Sequence, residues 1–223
     1  MNTTVLTVPG YHGSGDAHWQ TWLEETLPGS RRVTGIDWES PVLINWAIRI
    51  QQEIDAATKP VLIVAHSFGC LASVIAASNR PEKVAGVILV APANPERFSP
   101  LGLRDPEEPA VLVTVADLLP RKPLPLTGLV IASRNDPWIS YASAQEWVGR
   151  WGFGLYNAGM AGHINSESGY GPWPLLIELI QAMRAAVEPL PLGAIDRGRR
   201  QQQGRGGLLA KIRLHTRQQL AYL

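Results

Sequence analysis

Short apolar runs alternate along the first 190 residues with longer segments in which apolar positions recur every three or four residues. The runs Val5–Val8, Val33–Ile36, Val61–Val64, Val84–Val90, Leu129–Ala132 and, more weakly, Phe153–Tyr156 predict strands. Ala17–Leu27, Ile44–Ala57, Phe68–Ser78, Ala142–Trp151 and Trp173–Val187 predict helices. Around the second helix, Leu43, Trp46, Ala47, Ile50 and Ile54 recur at helical spacing, so one face of it is expected to be buried. The strands are apolar at consecutive positions, the pattern of a sheet covered on both faces. This alternation predicts an α/β fold: a mostly parallel six-stranded sheet with helices on both faces, joined by right-handed crossovers. With strands numbered along the chain, the expected order is 2-1-3-4-5-6. The order reverses between strands 1 and 3, and ligands bind at such a switch point.

Two stretches break the rhythm. Asn94–Thr127 is long and rich in proline, with a short helix predicted at Val111–Leu119. An insertion of that length between strands reads as a lid or binding loop. After Pro189-Leu190-Pro191 the composition changes. Residues 1–192 read as one domain carrying 13 Lys/Arg and 18 Asp/Glu, a net −5. Residues 193–223 carry 7 Lys/Arg and 1 Asp, a net +6, and read as a flexible basic tail whose partner is not identified. Leu208–Leu223 could alternatively form a basic amphipathic helix against the surface or an anionic partner. The acidic body does not read as a nucleic-acid binder.

Composition narrows the class further. With 45% apolar and 17% charged residues the chain has material for a core, which excludes intrinsic disorder. No apolar run reaches the ~18 residues of a membrane span, and Met1–Gly10 does not read as a secretory signal, so the cytoplasm is the expected compartment. Cys70 is the single cysteine, which excludes an internal disulfide framework and a Cys-rich zinc site.

The strongest chemical signal is Val61-Leu62-Ile63-Val64-Ala65-His66-Ser67-Phe68-Gly69. An apolar strand enters a tight turn and a helix starts at once, the pattern of a nucleophile elbow. Small residues must flank the serine because the turn brings backbone close; Gly69 meets this on the helix side, and Ala65 replaces the usual glycine on the strand side. Ser67 is the expected nucleophile, the simpler alternative being a helix N-cap. His66 reads as a packing or hydrogen-bonding residue. A nucleophilic serine needs a base and a group that orients it. Downstream histidines are His163, in a glycine-flanked loop after the last strand, and His215, in the basic tail. His163 is therefore the expected base, and Asp136, at the carboxyl end of the preceding strand, the expected acid. The oxyanion hole is assigned to the backbone N–H groups of Phe68 and of Tyr11 in the loop Pro9–Gly15. That loop matches neither nucleotide-binding glycine pattern. His12 and His18 lack metal-ligand spacing, so neither metal nor cofactor is expected. Trp138, following Asp136-Pro137, and His12 are candidates for the pocket wall; packing under the loop is the alternative for Trp138. The other seven tryptophans read as core or helix packing.

Together Gly10-Tyr11-His12-Gly13-Ser14, His18-Trp19, Trp22-Leu23, Asp37-Trp38, Ala65–Gly69, Ser133–Pro137 and Gly162–Ser166 resemble the retinoblastoma-binding protein 9 (YdeN-like) family of small serine hydrolases in the α/β-hydrolase superfamily. The resemblance spans roughly Val5 to Val187, and it too implies a triad of Ser67, Asp136 and His163. The tail departs from the family pattern. The expected function is hydrolysis of a small ester or amide, a small-molecule substrate, through an acyl-enzyme; the alternative is a catalytically silent protein-binding module on the same fold. Haloalkane or epoxide chemistry would need aspartate where Ser67 stands.

Overall fold

The computed structural model describes residues 3–105, 107 and 113–187. The chain runs β1 (Thr4–Val8), α1 (Trp19–Thr26), β2 (Ser30–Arg32), α2 (Leu43–Ala56), β3 (Val61–His66), α3 (Phe68–Ser78) and β4 (Val84–Val90). It continues with β5 (Phe98–Ser99), β6 (Gly102–Leu103), α4 (Val115–Leu118), β7 (Gly128–Ala132), α5 (Tyr141–Trp151), β8 (Gly154–Asn157) and α6 (Pro174–Val187). Six strands form one parallel sheet in the order β2-β1-β3-β4-β7-β8. Leaving out the two-residue strands β5 and β6, which pair only with each other inside the insertion, this is the expected order 2-1-3-4-5-6.

The consecutive apolar positions are explained by two cores. Leu6, Val8, Ile63, Ala65, Val87, Leu89 and Val130 face α2, α3 and α5, with Trp46, Ile50, Leu71, Val74, Trp147 and Trp151. Their neighbours Val5, Leu62, Val64, Ile88, Val90, Leu129 and Ile131 face α1 and α6, with Trp19, Leu23, Leu176 and Ile180. Each of the strands β1, β3, β4 and β7 thus feeds both layers on alternate residues.

The second strand departs from expectation: β2 is Ser30–Arg32, not Val33–Ile36. It is an edge strand paired only with β1, through Val5↔Ser30, Leu6↔Arg31 and Thr7↔Arg32. An edge can be polar, and its charges are used: Arg31 pairs with Glu53, and Arg32 with Glu24 at 3.0 Å. Val33 is buried and its N–H still reaches Thr7 O at 3.0 Å, after which the chain leaves the sheet. In the insertion, α4 covers Val115–Leu118, within the expected Val111–Leu119. Residues 111 and 112, and the expected tail 193–223, lie outside the described residues.

Candidate active site

At the carboxyl end of β3 the chain reverses at Ser67, φ 52° and ψ −125°, and α3 begins at Phe68. A residue with a β-carbon holds such a backbone only where its surroundings enforce it. The enforcement is visible at two glycines. A Cβ on Gly69 would stand 2.2 Å from Pro9 O and 2.8 Å from Val8 O; one on Gly10 would stand 2.7 Å from Ser67 Cβ. The β1 loop therefore lies directly against the turn. Ser67 makes no side-chain cap on α3, so the simple N-cap reading does not hold.

The hydroxyl instead points to His163. Ser67 Oγ lies 2.9 Å from His163 Nε2, and His163 Nδ1 lies 2.9 Å from both Asp136 carboxylate oxygens. A carboxylate only accepts, so Nδ1 carries the proton and Nε2 accepts the Ser67 hydroxyl. The Asp136 side chain is fully buried, and its Oδ1 also accepts the Trp138 N–H at 2.8 Å. Three residues from three strand ends thus form one hydrogen-bonded chain, with Asp136 after β7 and His163 after β8.

A cleft of about 330 Å³ opens over this chain. Ser67, His163, Tyr11, His12 and Trp138 all line it, together with Phe98 from the insertion and Asn165, Ser166 and Glu167 from the loop beyond His163. Trp138 packs beside the His163 ring at 5.8 Å and under the Arg97 guanidinium at 4.2 Å. His12, at φ 68°, is exposed at the rim and its Nδ1 meets Glu39 at 2.7 Å. The Phe68 side chain leaves the cleft for the core, against Trp46 and Phe98, while its N–H is the first of α3.

The loop carrying His163 is held at several points: by His66, expected to pack or hydrogen-bond, by Trp19, expected to pack, and by Ser133, Asn135 and Ser168, to which the sequence assigned no individual role. Ser133 Oγ accepts from Ala161 N–H at 3.0 Å, and Asn135 Oδ1 accepts from Gly162 N–H at 2.8 Å. Ser168 Oγ accepts from His163 N–H at 3.1 Å. The His66 ring donates through Nε2 to His163 O at 2.9 Å, and Trp19 Nε1–H donates to Ile164 O at 2.8 Å. Below them Gln20, fully buried, donates to Val8 O and Val64 O and accepts from Ser14. Isolated polar residues of this kind have no periodicity to betray them; the only signal was their crowding beside the glycine loops.

Burial sets the charge state around the site. His66 is held neutral, its pKa pushed well below 6.5 by desolvation and then by His163 and His18. His18 is lowered to about 4, by burial first, then by Arg32 and His163. Burial pushes the Cys70 thiol up, and its Sγ donates to Val90 O at 3.4 Å, the surroundings of an inert thiol. Among the described residues no group of three or more His, Cys, Asp or Glu side chains is placed to hold a metal, and no helix is long and apolar enough to cross a membrane.

Residues 5–182 match the family model described as serine hydrolase. A YdeN-like hydrolase from Pectobacterium atrosepticum is 34% identical with a TM-score of 0.74, covering 84% of this chain and 94% of its own. The ydeN product of B. subtilis is 17% identical with a TM-score of 0.63, over 83% of this chain and 100% of that one. Est1E from Butyrivibrio proteoclasticus, solved with ferulic acid, is 15% identical with a TM-score of 0.61, over 82% and 88%; at such identities the likeness shows the fold. Among curated proteins, none matches the sequence.

Proposed function

Because the chain belongs to the serine hydrolase family, we propose that it hydrolyses a small ester or amide through an acyl-enzyme on Ser67. The observation that carries this reading is the chain Asp136–His163–Ser67, with both links at 2.9 Å and the serine held at positive φ. His163 takes the Ser67 proton as Oγ attacks the carbonyl carbon, then returns it to the leaving group. Asp136 keeps the imidazole in the tautomer that allows this and stabilises its charged form. The N–H groups of Tyr11 and Phe68 receive the oxyanion; the Phe68 N–H has no partner within its own helix, as at any helix start. Water then attacks the acyl-enzyme with His163 again as base. The cleft volume lies at the low end of small-molecule sites, which favours short acyl groups over long lipid chains. Trp138 and His12 form part of its wall.

A fluorophosphonate probe tests the assignment. The folded protein is expected to be labelled at Ser67, and Ser67→Ala to abolish labelling. Folded protein that stays unlabelled would overturn the enzyme reading in favour of a silent binding module.

A further inference from the structure

The loop after β1 ends in a histidine that the mechanism does not use. His18 is the N-cap of α1, and its Nδ1 accepts the Gln20 N–H at 3.2 Å. A backbone N–H can only donate, so Nδ1 bears the lone pair and the proton of the neutral ring sits on Nε2. His18 is only 4% exposed, and its Nε2 is buried with no hydrogen-bond partner among the described residues. A buried donor left without an acceptor is a standing penalty that native proteins rarely keep without use.

His18 lines the same cleft as Ser67 and His163. Its ring meets the edge of His66 at 4.9 Å, and His66 meets His163 at 4.9 Å, so it stands two rings from the base. Two different cores adjoin the cleft. Trp138 and Phe98 belong to the core under α2, α3 and α5. His18 precedes Trp19 of the opposite core and lines the cleft together with Asn165, Ser166 and Glu167. No lysine or arginine is among the described lining residues, and Glu167 brings a carboxylate.

We propose that the Nε2–H of His18 is a substrate-binding donor, and that the substrate presents an uncharged oxygen acceptor to it, a hydroxyl, ether or carbonyl oxygen. The proposal rests on the serine hydrolase reading and names the substrate class of that site. An anionic acceptor is disfavoured there by Glu167, and Arg32, the cation whose field reaches His18, is already paired with Glu24 at 3.0 Å. His18 does not serve as a second base, because its free nitrogen already holds a proton. It does not serve as a metal ligand, because freeing the Nε2 lone pair would move the proton to Nδ1 and break the cap.

His18→Asn separates the cap from the donor. Asparagine is a good N-cap and keeps an acceptor near the place of Nδ1, but puts no N–H at the place of Nε2. The measurement is kcat/KM for paired nitrophenyl esters: butyrate, pentanoate and hexanoate against their ether- and hydroxyl-bearing counterparts of equal length. The wild type is expected to favour at least one oxygen-bearing ester by about tenfold beyond the ratio of the two esters' rates in hydroxide alone. His18→Asn is expected to return that ratio to the hydroxide value. Equal ratios in both proteins across the panel would overturn the proposal. Fluorophosphonate labelling of both proteins reports separately on Ser67. Should Ser67 prove unreactive, the imidazole ¹H–¹⁵N spectrum of the free protein at pH 7 still decides the donor: a neutral Nε2–H tautomer for His18 is expected, and an Nδ1–H tautomer or a cation would overturn the proposal.

Discussion

Ser67 is held at φ 52° by bonds on both sides of it: its N–H reaches Val90 O at 3.1 Å, and its carbonyl accepts from Cys70 N–H at 3.0 Å. A backbone of that kind stores roughly 1–3 kcal/mol, which the neighbouring strands must offset. Space around the turn is the second condition, and it can be removed one methyl at a time. In Gly10→Ala the new methyl would lie 2.7 Å from Ser67 Cβ, so the serine or the β1 loop must shift. Stability is expected to fall by ~1–3 kcal/mol, as for an overpacked core. Activity is expected to fall further, by about 100-fold or more, because a displacement of that size misplaces the proposed nucleophile. Thermal unfolding beside the rate of fluorophosphonate labelling separates the two effects; an unchanged labelling rate would show that the loop yields without moving Ser67. The juxtaposition of Ser67, Asp136 and His163 was legible in the sequence because an elbow has a strand, a turn and small residues in fixed order, and the aspartate and histidine follow at strand ends. His18 was not: in sequence it was weighed only as a metal ligand beside His12, and its cap and its open nitrogen exist only once α1 is placed.

Between elements, the loops carrying Asp136 and His163 are joined by side chains, not by packing alone. Ser133 and Asn135 sit at the end of β7, just before Asp136, and hold the N–H groups of Ala161 and Gly162 just before His163. The Ser133 hydroxyl also donates to Asn135 Oδ1 at 2.8 Å, so the two act as one clamp. Ser133→Ala would leave the buried Ala161 N–H without its acceptor, a cost of roughly 1–3 kcal/mol. With the His163 loop less fixed, kcat is expected to fall between about tenfold and 100-fold while KM changes little. Ester kinetics and guanidinium unfolding on the same protein check both parts; a large rise in KM with kcat intact would mean that the clamp shapes the cleft instead. The same scale shows why β2 was misplaced. Hydrophobic patterning finds strands that feed a core, and Ser30-Arg31-Arg32 feeds none; its ladder with β1 and its ion pairs are invisible to that signal. The central strands, buried on both faces, were found within one or two residues.

For the molecule as a whole, strand order was legible because a parallel sheet covered on both faces leaves few topologies open, whereas charge placement was not. Every group proposed for catalysis lies before residue 187, so truncation after Leu192 is expected to leave ester hydrolysis within a few-fold, against a loss of ~10³ or more for His163→Ala. A truncated protein that folds but loses activity as fully as that variant would place the boundary of the domain elsewhere. The buried imidazoles have a broader consequence. His18 is lowered to about 4 and His66 well below 6.5, so between pH 6.5 and 4 the unfolded chain binds protons at both positions that the folded protein refuses. Stability therefore rises with pH across that window and is lost as pH falls from about 6.5 toward 4, at up to about 1.4 kcal/mol per pH unit for each group. Carboxylates held below their usual range, such as Glu53 beside Arg31, act in the same direction but at lower pH, as their unfolded counterparts protonate near 4.5. Denaturant midpoints at pH 7.5, 6.5, 5.5 and 5 are therefore expected to fall in the wild type, and to fall less steeply in His18→Asn, which keeps the cap and removes one of the two titrating rings. Identical slopes in the two proteins would show that the His18 imidazole takes up its proton in the folded state at ordinary pH, contrary to its burial.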